Sequence, residues 1–183
     1  MVFESSQYGA DVARILAYGE DGKMLTPLVC GPCVREDARR ELSRFQPRDL
    51  FPEHKEPGAP MAGLWLYFSC FEEAHQLIEA ARTPDGVYWH AILHRMEPDD
   101  GSAAYWFRRL GRHPIFDALA HEARKIIAAA PKVEFRVGHW DPYSFIAHCD
   151  RARKQPGTVQ EKVAQEIQRA EWQLLFAYCA MGE

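Results

Sequence analysis

Apolar residues in this chain recur at spacings of three and four over most of its length, and prolines and glycines cut the pattern into pieces. That periodicity confines the chain to a fold of packed helices. The longest run is Met61–Ala81, where Leu64, Tyr67, Phe68, Phe71, Ala74, His75 and Ile78 fall on one side and predict a single long buried helix. Before it, residues 5–18 and 35–45 read as two short amphipathic helices, and the proline-rich stretch 46–60 (QPRDLFPEHKEPGAP) reads as a surface connection. After it, Thr83-Pro84-Asp85-Gly86 is turn chemistry, and helices are expected over 87–97, where Pro98 ends one, and over 102–110, where Gly111 ends the next. A third starts behind His113-Pro114. Asp141-Pro142 and the capping box Thr158–Glu161 open the last two helices. Only Val133, Phe135 and Val137 alternate with period two, and this segment is a lone strand or an extended connection.

The expected fold is therefore all-α, an irregular bundle of about six or seven helices with one short extended segment near 133–137. With 183 residues, 47% of them hydrophobic, the chain suits a single helical domain over 1–183, made of a weakly patterned part (1–60) and a helical core (61–183). A net charge of −4 provides no field to draw nucleic acid or an anionic membrane, and neither is expected as a partner. The sequence has no apolar run of membrane-spanning length and no secretory leader pattern, which makes a cytoplasmic location the expectation. Five cysteines, an odd number in a chain that needs no staples, point to reduced thiols.

The segment YWHAILHRMEPDD (88–100) is the densest in reactive groups. On a helix, His90, His94 and Glu97 fall within an arc of about 60°. Two histidines four apart can reach one divalent metal ion, and the carboxylate can add a ligand or act as a base. The zinc-protease pattern needs a glutamate directly after the first histidine, where this chain has Ala91, so that chemistry is excluded. Glu72 and His75, three apart on the preceding helix, have the spacing at which bundle helices present metal ligands, although the second such pair of a di-iron site is missing.

The candidates are His90, His94, Glu97 and Arg95 for acid–base work, and His75, His90, His94 and Glu72 for a metal. Tyr105 and Arg109 are candidates for contacting a small-molecule ligand, with Arg95 and Arg109 available to an anionic group. Any pocket is expected among the helices at 64–81, 87–97 and 102–110. The competing reading takes the same side chains as an interhelical network of Arg–carboxylate and His–Tyr bonds with no chemistry. On that reading the protein is a non-catalytic structural or binding module. His113 precedes a helix start and is read as bonding locally as a cap, while His54, His121, His139 and His148 have no spacing partners and are assigned no role.

Cys30-Gly31-Pro32-Cys33 is identical to the active-site tetrapeptide of thioredoxins, and a helix start behind it would lower the pKa of Cys30. The lead-in Asp21–Val29, with its turn and proline, leaves almost no strand to carry a redox fold. Dithiol chemistry through Cys30 and Cys33 thus stands as a second alternative, behind a chance pairing in a turn. The runs YWHAILHRMEPD, AYWFRRLGRHPIF and EWQLLFAYC resemble a family of hypothetical proteins of bacteria and some fungi with no established activity. The resemblance implies one compact domain over about two thirds of the chain and brings no catalytic residues with it.

Overall fold

The computed structural model describes residues 3–181. Among them ten α-helices and two short 3-10 turns, Ser5–Tyr8 and Glu20–Gly22, follow one another without a strand. In chain order the helices are α1 (Ala10–Ala17), α2 (Glu36–Leu42), α3 (Pro47–Leu50), α4 (Gly58–Tyr67), α5 (Phe71–Ile78), α6 (Pro84–Met96), α7 (Asp100–Leu110), α8 (Phe116–Ala128), α9 (Pro142–Ala152) and α10 (Val159–Met181). The all-helical class agrees with the sequence, while the number of helices exceeds the expected six or seven. Residues 133–137 form no strand and lie in the connection between α8 and α9. No helix among the described residues is long and apolar enough to cross a membrane.

Part of the difference in number comes from Met61–Ala81, which is two helices. α4 ends at Phe68, Ser69 takes a positive φ of 60°, and α5 restarts behind Cys70. The apolar spacing runs through the break because every residue from Ala59 to Phe71 is buried. A helix that is apolar all round has no single face from which to judge its continuity. A further helix comes from 46–60, where Pro47 opens the one-turn helix α3 under a reciprocal cap between Gln46 and Asp49; α4 also begins within that stretch, at Gly58.

Local chemistry sets most other ends. Thr83 accepts from the Gly86 N–H and starts α6, Asp99 accepts from the Ser102 N–H and starts α7, and Asp141 accepts from the Tyr143 N–H and starts α9. Gly111 follows α7 at a φ of 69°, a conformation that glycine adopts without penalty.

α6 lies at the centre and packs against α4, α5 and α7, while α10 runs along α4, α8 and α9. α4 and α6 touch at Gly63, where an added Cβ would sit 2.6 Å from the Trp89 ring. The same residue's carbonyl accepts the Trp172 indole N–H from α10 at 2.7 Å. The N-terminal third joins the core as well. Phe3 and Tyr8 pack with Phe176, and Tyr67 stacks on Trp172 at 4.3 Å.

Candidate functional site

α5 and α6 bring His75, His90 and His94 together, with one ring nitrogen of each within 4.8 Å of the other two. The helical register of α6 aligns His90 and His94, whose rings are parallel at 4.9 Å. His75 on α5 meets both edge-on, at 5.1 Å from His90 and 5.9 Å from His94. The far side is closed by α7, whose Trp106 stacks on His90 at 3.9 Å.

His90 is almost completely buried and its Nδ1 has no hydrogen-bond partner. Burial, with the neighbouring His94 and His75 adding to it, pushes its pKa down to about 4, so the ring is neutral at physiological pH. A neutral imidazole with a free nitrogen is the form that binds a metal. His94 Nδ1 lies 3.0 Å from Glu97 Oε2 without making a hydrogen bond to it. His75 and His94 remain partly exposed, which opens the cluster to solvent on one side.

The other expected residues divide. Arg109 lies over the Trp106 ring at 5.0 Å and close enough to His90 to act on its charge. Tyr105 is more than half exposed and touches only the edge of Trp106. Glu72 is exposed and lines a separate groove with Cys30, Cys33 and Cys70, so it does not join the three histidines. Arg95 points to the opposite side of α6, where it is completely buried and ion-paired to Glu171 of α10. A step of five residues from His90 turns a helix through about 140°, and that rotation separates the arginine from the cluster. Of the expected interhelical network, an Arg–carboxylate pair is present, between Arg95 and Glu171, but it does not include the histidines. His90 and His94 each keep an unbonded nitrogen, and the arginine's partner lies on another helix.

Sequence reasoning missed the Arg95 partner set. Glu171 accepts from Arg95 and, through Oε1, from the Tyr88 hydroxyl at 2.9 Å, while the Arg95 guanidinium lies over the Phe145 ring at 4.6 Å. Burial, the largest influence, lowers the pKa of Arg95, but the charge and hydrogen bond of Glu171 together with smaller contributions from its other neighbours more than offset it, and the value is raised. Burial also pushes the nearby Cys149 thiol up to about 12.

His113, read from the sequence as a local cap, and His54, assigned no role, both hold Asp85 at the start of α6. His113 Nε2 lies 3.2 Å from one carboxylate oxygen and His54 Nε2 3.5 Å from the other. The Nδ1 atoms accept backbone N–H groups of Ile115 and Glu56, at 3.4 and 3.0 Å, so in each neutral ring Nε2 carries the proton and faces Asp85. With both nitrogens engaged on each ring, the arrangement is a structural clamp. Asp85→Ala strands the buried His113 N–H, and urea unfolding should show a loss of ~2 kcal/mol; a change below ~0.5 kcal/mol would show that the clamp is idle.

His148, also assigned nothing, is buried, stacks on Phe135 at 4.3 Å and has an unbonded Nε2. The cysteines are rearranged relative to expectation. Cys33 is bonded to Cys70, with Cα atoms 4.6 Å apart, while Cys30 is exposed and Cys149 and Cys179 are buried. Burial and the neighbouring Glu97 raise the pKa of Cys30, the reverse of the shift expected from a helix start, because α2 begins only at Glu36. Comparison with protein-family models, curated proteins and solved structures returns no match, so the chemistry of this site has to be read from its own geometry.

Proposed function

We propose that the protein binds one divalent first-row transition-metal ion through His75, His90 and His94 and uses it on a small-molecule substrate. The observation that carries this reading is the convergence of three imidazole nitrogens within 4.8 Å, one of them on a buried ring whose Nδ1 bonds to nothing else. An unsatisfied buried polar atom costs free energy, and a ligand that engages it removes that cost. Three neutral nitrogen ligands suit zinc and its neighbours, and a set of three leaves a coordination position for water or substrate. A small rotation of the His94 ring would bring its Nδ1 N–H into line with Glu97, 3.0 Å away, the place of an outer carboxylate that orients a ligand ring. Arg109, held on Trp106, offers a cation to an anionic substrate group. When bound, the metal supplies Lewis-acid activation of water or a carbonyl.

Protein purified without a histidine tag should carry, or take up, one equivalent of metal by elemental analysis, and should give a visible absorption band on titration with Co²⁺. His75→Ala and His90→Ala should each weaken Co²⁺ binding at least about 100-fold, and Glu97→Gln about 10-fold or more, with circular dichroism confirming the fold. Absence of both stoichiometric metal and the cobalt band would leave the cluster as aromatic packing against Trp106 and end this reading.

A further inference from the structure

Cys30, Cys33 and Cys70 line one shallow groove of about 310 Å³, and the bond present joins the half-buried Cys33 to the buried Cys70. We propose that this groove is a thiol–disulfide exchange site, in which Cys30 takes Cys33 from Cys70 and presents the resulting disulfide to thiols in solution. The step balances within the chain. The Cys30 thiolate attacks Cys33 Sγ, a Cys30–Cys33 bond forms, the Cys33–Cys70 bond breaks, and Cys70 leaves as the thiolate. One sulfur is oxidised as another is reduced, and the proton lost from Cys30 is balanced when Cys70 takes one up.

Each group is placed for its part. Cys30 is the exposed member, three residues from Cys33. Between them Gly31 has open space around it, and Pro32 and Gly31 are both exposed, so the loop has room to bring the two sulfurs together. The segment stays docked while this happens, because Val34 N–H bonds to the Phe68 carbonyl at 2.9 Å and Arg39 pairs with Glu73 at 2.7 Å. Cys70 is the residue that precedes α5, where the helix N-terminus favours a leaving thiolate. Glu72 and Glu73 in the first turn oppose that effect, and Arg39 offsets one of them. Burial and Glu97 raise the pKa of Cys30, which keeps most of it as the thiol at neutral pH and slows the attack without preventing it. The exchange moves a disulfide from a pair with one buried sulfur to one that includes an exposed sulfur, which is what reaction with an outside thiol requires.

The test maps disulfides in the intact, air-oxidised chain by acid quench, alkylation with N-ethylmaleimide and tryptic mass spectrometry. Cleavage after Lys23, Arg35, Lys55 and Arg82 puts Cys30 and Cys33 on one peptide and Cys70 on another. Wild-type protein should show two forms, peptides cross-linked through Cys33–Cys70 with Cys30 alkylated, and an internal Cys30–Cys33 bond with Cys70 alkylated. The second form should make up at least about a tenth of the oxidised protein, a ratio set by the two reduction potentials. Cys30→Ser should retain only the cross-linked form, and Cys70→Ser only the internal one. A wild-type protein in which Cys30 is fully alkylated at every incubation time overturns the proposal. So does one in which all three thiols are held, unoxidised, by a stoichiometric zinc ion. Neither result bears on the histidine cluster.

Discussion

Replacing Glu171 with alanine should destabilise the protein by about 3–5 kcal/mol, the largest loss expected from any single substitution in the chain. Arg95 and Glu171 are both fully buried, so removing the carboxylate leaves a guanidinium without a counter-charge in a low-dielectric interior. Two of its nitrogens, Nε and Nη1, already lack hydrogen-bond partners, and the Phe145 ring offers only its π face. The Tyr88 hydroxyl loses its acceptor in the same step. In the wild type, burial first and the Glu171 charge second hold the Tyr88 pKa well above its ordinary value; the burial remains in the variant and opposes ionisation of the phenol. Substituting the whole group together, Tyr88→Phe, Arg95→Met and Glu171→Leu, removes the charges rather than orphaning one. That triple variant should recover most of the loss. Urea unfolding of the single and triple variants decides the matter. A Glu171→Ala protein within ~1 kcal/mol of wild type would show that water or a rearranged acid reaches Arg95.

What the sequence could and could not show follows from the range of the interactions. Helical class, the caps at Asp141-Pro142 and Thr158, and the stop at Pro98 depend on residues within a few positions of one another, and these were legible. The shared face of His90 and His94 was legible for the same reason, since one turn of helix sets it. His75 could be placed on the inner side of its helix, but its distance from the pair depends on how α5 packs against α6, and no local pattern encodes that. Arg95 shows the same limit: the acid that neutralises it lies 76 residues away on α10, and nothing near Arg95 in sequence identifies it. Asp100 belongs to Arg153, at 2.9 Å. Cys33 likewise finds Cys70 across 37 residues rather than Cys30 across three. The break at Phe68–Cys70 was hidden because apolar spacing marks a face, and α4 has no exposed face to mark.

His148 should make the fold acid-labile in a window that opens about two pH units above the ordinary carboxylate range. Burial, with Arg151 adding to it, lowers its pKa from 6.5 to about 4. At neutral pH the ring is uncharged in both folded and unfolded chains and contributes no pH dependence. As the pH falls below 6.5 the unfolded chain takes up a proton that the folded one refuses, so stability falls, and the loss levels off only below about 4. At pH 4.5 the difference is about 2.5 kcal/mol, from 1.36 kcal/mol for each pH unit of the shift already traversed. His148→Phe removes the titration and preserves the ring stacked on Phe135. It also removes the unbonded Nε2, so the variant should be at least as stable as wild type at pH 7.5. Urea unfolding at pH 7.5 and 4.5 isolates the effect, because every other titrating group is common to both proteins and cancels in the difference. Wild type should lose about 2–3 kcal/mol more than His148→Phe over that interval. Parallel losses in the two proteins would mean that His148 accepts a proton in place, its Nε2 reaching solvent through the small cavity it shares with Glu134, Arg151, Gln155 and Gln160.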